Sequence, residues 1–253
     1  MSAKKISVVV PVYNAEKYIA QALDSLISQT LPPDEIIVVN DGSTDGSAEV
    51  VASFASRVKL VSQENSGTAN ARNRGLQEST GDLLAFLDAD DFWDPRKLAS
   101  QKAVLDSNPA MESVFCLARQ FYSPDLAPEK QSLIRKEDRD LAAYTTPAML
   151  IRRGSFFRIG LFRAGLQGAV DMEWMIRARE GNLRTSIIRE CLYFRRIHAD
   201  NSGIRNKHLL PQRTRLLKEF LDRKKGANQS RFVNEPNDPQ ILKAGDALDI
   251  TSR

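Results

Sequence analysis

Ile36-Ile37-Val38-Val39-Asn40-Asp41-Gly42-Ser43-Thr44-Asp45-Gly46-Ser47 changes character twice within a short stretch. An unbroken β-branched run, the pattern of a strand buried on both faces, gives way to a polar turn carrying glycine, and Ser47 opens a helical stretch reaching residue 55. Working outward, the same transition recurs. Residues 6–10 lead into Pro11-Val12-Tyr13-Asn14, residues 58–61 into Gln63-Glu64-Asn65-Ser66-Gly67, and residues 83–87 into Asp88-Ala89-Asp90-Asp91. Between the first two runs, Tyr18, Ile19, Ala22, Leu23, Leu26 and Ile27 share one helix face that ends before Leu31-Pro32-Pro33; residues 68–79 fill the third gap. Four β-α repeats in about 90 residues predict a doubly wound, mostly parallel sheet flanked by helices. In such a sheet the polar loops after the strands converge in one crevice beyond the strands' carboxyl ends.

After Asn108-Pro109 the pattern loosens: strands at 113–117 and 148–151, a polar loop at 123–140, a helix over 171–180, and a strand pair at 185–188 and 191–194. Leu209, Leu210, Leu216, Leu217, Phe220 and Leu221 then make an apolar stripe with Arg and Lys on the other faces. From residue 226 onward Asn, Ser, Pro and Gly predict a poorly ordered tail.

With 253 residues, 42% hydrophobic and 27% charged, the composition excludes disordered, collagenous and disulfide-scaffold classes. No apolar run reaches the roughly 20 residues of a membrane-spanning helix, and no secretory leader is evident, so a cytoplasmic location is expected. Cys116 and Cys191 lack a CxxC partner and read as core thiols. Residues 1–110 carry 10 Lys/Arg against 15 Asp/Glu, and residues 111–253 carry 26 against 17. No stacking aromatics or recognition motif accompany the basic residues, which argues against nucleic acid as a partner. An acidic half facing a basic half suits a cation meeting a diphosphate; solvated surface charge is the plainer explanation.

Three carboxylates in four residues, Asp88, Asp90 and Asp91, are costly unless a cation or donors compensate them, and hard oxygen ligands suit magnesium or manganese shared with substrate phosphates. A helix cap accounts for Asp94, and for Asp91 in one reading, but not for Asp88 and Asp90. Asp41 is placed to accept from a base or ribose hydroxyl, whereas Asp45 reads equally well as an Asx turn. Neither GxGxxG nor GxxxxGK[ST] is present, so dehydrogenase and P-loop readings lose their main support.

Val8-Val9-Val10-Pro11-Val12-Tyr13-Asn14, Asn40-Asp41-Gly42-Ser43-Thr44-Asp45, Asn65-Ser66-Gly67 with Ala71-Arg72-Asn73-Arg74-Gly75, and Asp88-Ala89-Asp90-Asp91, in this order, resemble the family 2 glycosyltransferases of GT-A fold. Val170-Asp171-Met172-Glu173-Trp174 is similar to the family's Glu-Asp-x-Asp-hydrophobic segment, with Val170 where Glu is usual. Arg195-Arg196-Ile197-His198-Ala199-Asp200-Asn201-Ser202 is similar to its Arg-x-His-x-x-x-Ser segment. Gln212-Arg213-Thr214-Arg215-Leu216 resembles QxxRW only superficially, since Leu216 replaces Trp.

The resemblance implies a metal-dependent inverting transfer from a nucleotide diphosphate sugar to an acceptor hydroxyl, with manganese or magnesium as cofactor. Pro11, Tyr13 and Asp41 would line the base and ribose pocket, supported by Arg72, while Asp88 contacts ribose and Asp90 holds the metal. Arg196 would close over the diphosphate, His198 would approach the metal, and Asp171, with Glu173 as fallback, would be the base. Uridine is the default base of the donor, guanosine and thymidine the alternatives, and the acceptor is open among glycan, lipid-linked sugar, protein and small molecule. Residues 1–110 would bind the donor, residues 111–225 would supply the acceptor site and the base within the same domain, and 226–253 would be the tail. Two rivals stand: a non-catalytic sugar-nucleotide-binding module, suggested by Val170, and a sugar-1-phosphate nucleotidyltransferase, whose Gly-rich Arg-bearing loop is missing after the first strand. The basic helix near residues 207–225 is expected to pack on the core, with peripheral attachment to an anionic membrane as the other reading.

Overall fold

The computed structural model describes residues 4–132, 134, 136–166, 168–201, 214–215, 218–220 and 222. Met1–Thr214 form one compact unit and Arg215–Arg253 a second. Of the basic helix expected near 207–225, the few described residues are helical and include an Arg215–Glu219 ion pair at 2.9 Å. Its remainder, and the tail at 226–253, lie outside the described residues.

The first unit begins with β1 (Ile6–Val12), α1 (Ile19–Ile27), β2 (Glu35–Asp41), α2 (Ser47–Ala52), β3 (Lys59–Gln63), α3 (Thr68–Glu78) and β4 (Leu83–Phe86). These strands pair in parallel in the order β3-β2-β1-β4. Every residue of β1 is buried, as its unbroken apolar run requires of a strand covered on both faces. One side is covered by α1, whose Ile19, Ala22, Leu23 and Leu26 are buried. The other is covered by α3, which can lie close because a Cβ on Gly75 would stand 2.3 Å from Val9 Cγ1.

The chain continues through β5 (Phe92–Trp93), α4 (Lys97–Ser107), β6 (Ser113–Tyr122), α5 (Pro128–Gln131), β7 (Leu141–Ala142), a 3₁₀ turn at Thr146–Ala148, β8 (Leu150–Arg152), α6 (Arg153–Ile159), α7 (Val170–Glu180) and β9 (Thr185–Ile197). β8 lies antiparallel to both β4 and β6, so it joins the parallel layer to the rest of a mixed sheet. The strand pair expected at 185–188 and 191–194 is instead one strand. β9 runs parallel to β6 from Ser113 opposite Thr185 to Tyr122 opposite Ile197, and the exposed Arg189 and Glu190 form an irregularity where Cys116 pairs with Ile188 and Leu117 with Cys191. Two charged residues in a row resemble a turn in sequence, yet here they bulge out of a continuous ladder. The sequence reading marked α4 only through its cap at Asp94 and gave it no extent. Its inward face mixes Leu98 and Leu105 with Lys97 and Gln101, all fully buried, which hides the helical period. Among the described residues no helix is long and apolar enough to cross a membrane.

Candidate functional site

The loops after β1, β2 and β3 are laced to one another. Asn14, at φ 49°, accepts the Thr44 N–H at 2.8 Å and donates its own N–H to Ser43 Oγ at 3.1 Å. Gly42, at φ 74°, lies so near the third loop that a Cβ there would stand 2.8 Å from the Asn65 backbone nitrogen. Asp41 is buried and braces that loop, accepting the Ser66 N–H at 2.9 Å, the Gly67 N–H at 2.8 Å and Gln63 Nε2–H at 2.7 Å. Asp45 makes the Asx turn, accepting the Ser47 N–H at 3.1 Å. Pro11 is buried opposite Val39, and Tyr13, just past β1, is 49% exposed.

Each carboxylate of the acidic triplet after β4 has its own counter-group. Asp88 Oδ1 accepts from Arg72 Nη2 at 2.7 Å. Asp90 Oδ2 faces His198 Nε2 at 2.9 Å and accepts from Asn201 Nδ2 at 3.1 Å. Asp91 is buried, accepting the Tyr193 hydroxyl and, at 2.7 Å, the Arg196 N–H. Burial, reinforced by the Asp90 and Asp88 charges, pushes Asp91 well above the usual carboxylate range. Asp91 therefore latches the acidic loop to β9, a role neither helix capping nor metal binding anticipated, while Asp94 does accept the Arg96 N–H before α4, at 2.9 Å.

Arg72, on α3, is 2% exposed and bridges two distant segments, donating at 2.7 Å to Asp88 and, through Nη1, at 2.7 Å to Asp171 Oδ1. Its guanidinium also lies 5.4 Å from the Phe162 ring centroid. Burial alone would lower its pKa, but the Asp171 and Asp88 charges more than reverse this, so the site's cation is permanent. Partial desolvation pushes Asp88 up, with Arg72 pulling down and Asp171 and Asp90 adding to the rise. Asp171 sits in the first turn of α7, and its Oδ1 also accepts the Thr146 hydroxyl at 2.6 Å. Glu173, the fallback base, is buried and paired with Arg177 at 2.9 Å, turned away from this network. Val170 is buried in the core.

Arg196, at the end of β9, donates through Nε to the Asp90 backbone carbonyl at 2.9 Å and through Nη2 to Gln21 Oε1. It lies between the rings of Tyr18 and Phe121, 4.9 Å and 4.7 Å from their centroids. Among the described residues no carboxylate oxygen neutralises its guanidinium, in contrast to Arg72. Beside it, His198 packs on Tyr18 with ring centroids 4.6 Å apart, and its buried Nδ1 has no partner among the described residues. Among the described residues no three of His, Cys, Asp and Glu converge as a protein-only metal cage would require. One carboxylate and one imidazole with an orphaned nitrogen nevertheless fit a divalent cation that takes its remaining ligands from substrate phosphates. Thr146, Asn201, Gln21 and Tyr193 are the participants that sequence reasoning missed; only Asn201 lay inside a quoted motif.

The sequence profile described as glycosyl transferase family 2 matches residues 7–171, from β1 to Asp171 itself. The chain belongs to this family. Glycosyltransferase GlyA of Streptococcus pneumoniae serotype 4 (strain ATCC BAA-334 / TIGR4) is 48% identical over 91 residues, 35% of this chain and 13% of that protein. The putative glycosyltransferase EpsH of Bacillus subtilis (strain 168) is 42% identical over 98 residues, 38% of this chain and 28% of that protein. The matched region thus spans under a third of either relative. Among solved structures, S. aureus TarS 1-349 in complex with UDP-GlcNAc aligns with a TM-score of 0.65 at 21% identity, covering 90% of this chain and 74% of that one. The mannosyltransferase PcManGT of Pyrobaculum calidifontis, in complex with GDP-Man and Mn2+, aligns at 0.64 with 22% identity, covering 93% and 66%. These likenesses establish the GT-A fold for the family 2 chain.

Proposed function

We propose that this family 2 domain transfers a sugar from a nucleotide diphosphate sugar to an acceptor hydroxyl with inversion at the anomeric carbon. The observation that carries the reading is the division of charge at the crevice. Asp171, oriented by Arg72, is available as a base on one side, while Arg196 and the Asp90–His198 pair offer positive charge and metal ligands on the other. Departure of the sugar from its donor puts negative charge on a diphosphate, and Arg196, with no carboxylate partner among the described residues, would stabilise it. Asp90 and His198 would hold a manganese or magnesium ion, which when bound supplies further positive charge to the diphosphate. Tyr13, exposed past β1, and Pro11, with Asp41 shaping the turn beside them, would form the base pocket, and Asp88 would accept from ribose. Uridine diphosphate sugars are the donors to try first.

The Asp171 carboxylate would take the acceptor's proton as its oxygen attacks the anomeric carbon from the face opposite the diphosphate. The module without catalysis drew its support from Val170, but that side chain belongs to the core, and the orientation of Asp171 comes from other residues. The test is a thermal-shift and hydrolysis screen of UDP-glucose, UDP-galactose, UDP-GlcNAc and GDP-mannose with and without manganese. Asp90→Ala is expected to lose metal-dependent turnover while staying folded. Undiminished turnover in EDTA would remove the metal, and a product with the donor's anomeric configuration would remove inversion.

A further inference from the structure

We infer that Thr146 is the positioning residue that selects which oxygen of Asp171 takes the acceptor's proton, an inference that rests on the reading of Asp171 as base. Thr146 is fully buried, and its hydroxyl donates to Asp171 Oδ1 at 2.6 Å. Arg72 Nη1 donates to that same oxygen at 2.7 Å. Oδ2 has no hydrogen-bond partner among the described residues, and the Asp171 side chain is 30% exposed. Two donors reaching one oxygen from different elements fix the plane of the carboxylate and leave the lone pairs of the other oxygen for an incoming proton. Arg72 alone does not do this, because its guanidinium is shared with Asp88.

The segment that carries Thr146 is itself held from behind. Trp93 Nε1–H donates to the Pro147 carbonyl at 3.0 Å, and Gln101 Nε2–H donates to the Ala148 carbonyl at 2.8 Å. Both donors are buried, on β5 and α4. They satisfy carbonyls that a 3₁₀ turn leaves open in the interior, where an unpaired backbone group is costly. The Thr146 hydroxyl is therefore presented from a rigid base rather than from a loop free to withdraw. In the transfer, the acceptor O–H proton passes to Asp171 Oδ2 and the acceptor oxygen bonds to the anomeric carbon. The bond from that carbon to the phosphate oxygen breaks, with its electron pair leaving on the diphosphate.

The experiment uses the full chain with manganese and the same four donors, water serving as acceptor, and follows nucleoside diphosphate release. Thr146→Val, nearly equal in shape, is expected to lower kcat about 10–100-fold, the cost of a misplaced reacting group, with the donor KM within about twofold. Thr146→Ser should recover most of the loss. Thr146→Ala, run in parallel because it imposes less bulk, should behave as Thr146→Val, and a crystal structure of either should show the Asp171 carboxylate turned about its Cβ–Cγ bond. Full kcat in Thr146→Ala while Asp171→Asn is inactive, or a carboxylate that has not turned, overturns the role of Thr146 and leaves the base reading in place. Normal turnover in Asp171→Asn, or turnover of none of the four donors by the parent chain, overturns that reading and this inference with it.

Discussion

Replacing Arg72 by methionine keeps most of the buried volume and removes the one charge that joins Asp88 to Asp171. The guanidinium is 2% exposed and its two ion pairs are both 2.7 Å long, while the carboxylates are 33% and 30% exposed. Breaking a fully buried ion pair by deleting one partner costs about 3–5 kcal/mol, because the other charge is left uncompensated. Here water reaches both carboxylates, which places the loss at about 2–3 kcal/mol. At about 2–4 °C per kcal/mol for a unit of this size, the thermal midpoint should fall by about 5–10 °C. Differential scanning calorimetry in the absence of ligand measures it. Adding Asp88→Asn and Asp171→Asn to Arg72→Met should return part of the loss, since the uncompensated charges are then gone. A midpoint within about 2 °C of the parent chain would refute the reasoning, as would a triple variant less stable than the single one.

Three further outcomes are expected. Manganese alone should bind weakly, and far more tightly with UDP present, because the proposed site draws on Asp90 and His198 alone among the described residues; calorimetric titration showing equal affinity in both conditions would contradict a phosphate-shared site. Lys97, fully buried with its Nζ 3.7 Å from the Trp93 ring centroid, is pushed down to about 8 by burial. From about pH 8 to 10.5 the unfolded chain holds a proton that the folded chain has released. The contribution of Lys97 should therefore rise by at most about 3 kcal/mol across that window, read as a urea-stability difference between the parent chain and Lys97→Met that changes with pH by up to that amount. At Glu112 burial raises the pKa, but the Arg184 N–H and the Arg158 and Ser155 side chains outweigh it and hold the carboxyl down at about 2. Its stabilising contribution is complete above about pH 4.5 and lost as pH falls toward 2, so Glu112→Gln should flatten that acid limb in urea titrations between pH 2 and 5.

How far the site could be read in advance depended on how local its causes were. The triplet Asp88, Asp90 and Asp91 was visible because like charges in succession are conspicuous, yet its three members have different partners. Arg72 comes from α3 while Tyr193 and His198 come from the end of β9, and nothing in the spacing of the triplet says which carboxylate each will meet. Asp41 was placed correctly at a strand's end, but that its oxygens are engaged by Ser66 and Gly67 follows from the close approach of two loops across Gly42. Thr146 carried no signal at all, since a threonine beside Thr145 in a largely apolar stretch acquires meaning only from what lies opposite.

The sequence by itself determined the alternation of buried strands and amphipathic helices through residue 87, because burial on two faces and helical period are properties of neighbouring residues. It likewise determined that polar motifs follow the strands, where a parallel sheet collects them. Only the tertiary structure decided that β8 enters antiparallel between β4 and β6, that Arg189 and Glu190 bulge from one long strand, and that Asp171 meets Arg72 across 99 residues of chain. Those outcomes depend on which distant surfaces meet when the core closes, and a charge or a hydroxyl takes its role from the partner that packing brings within hydrogen-bond reach.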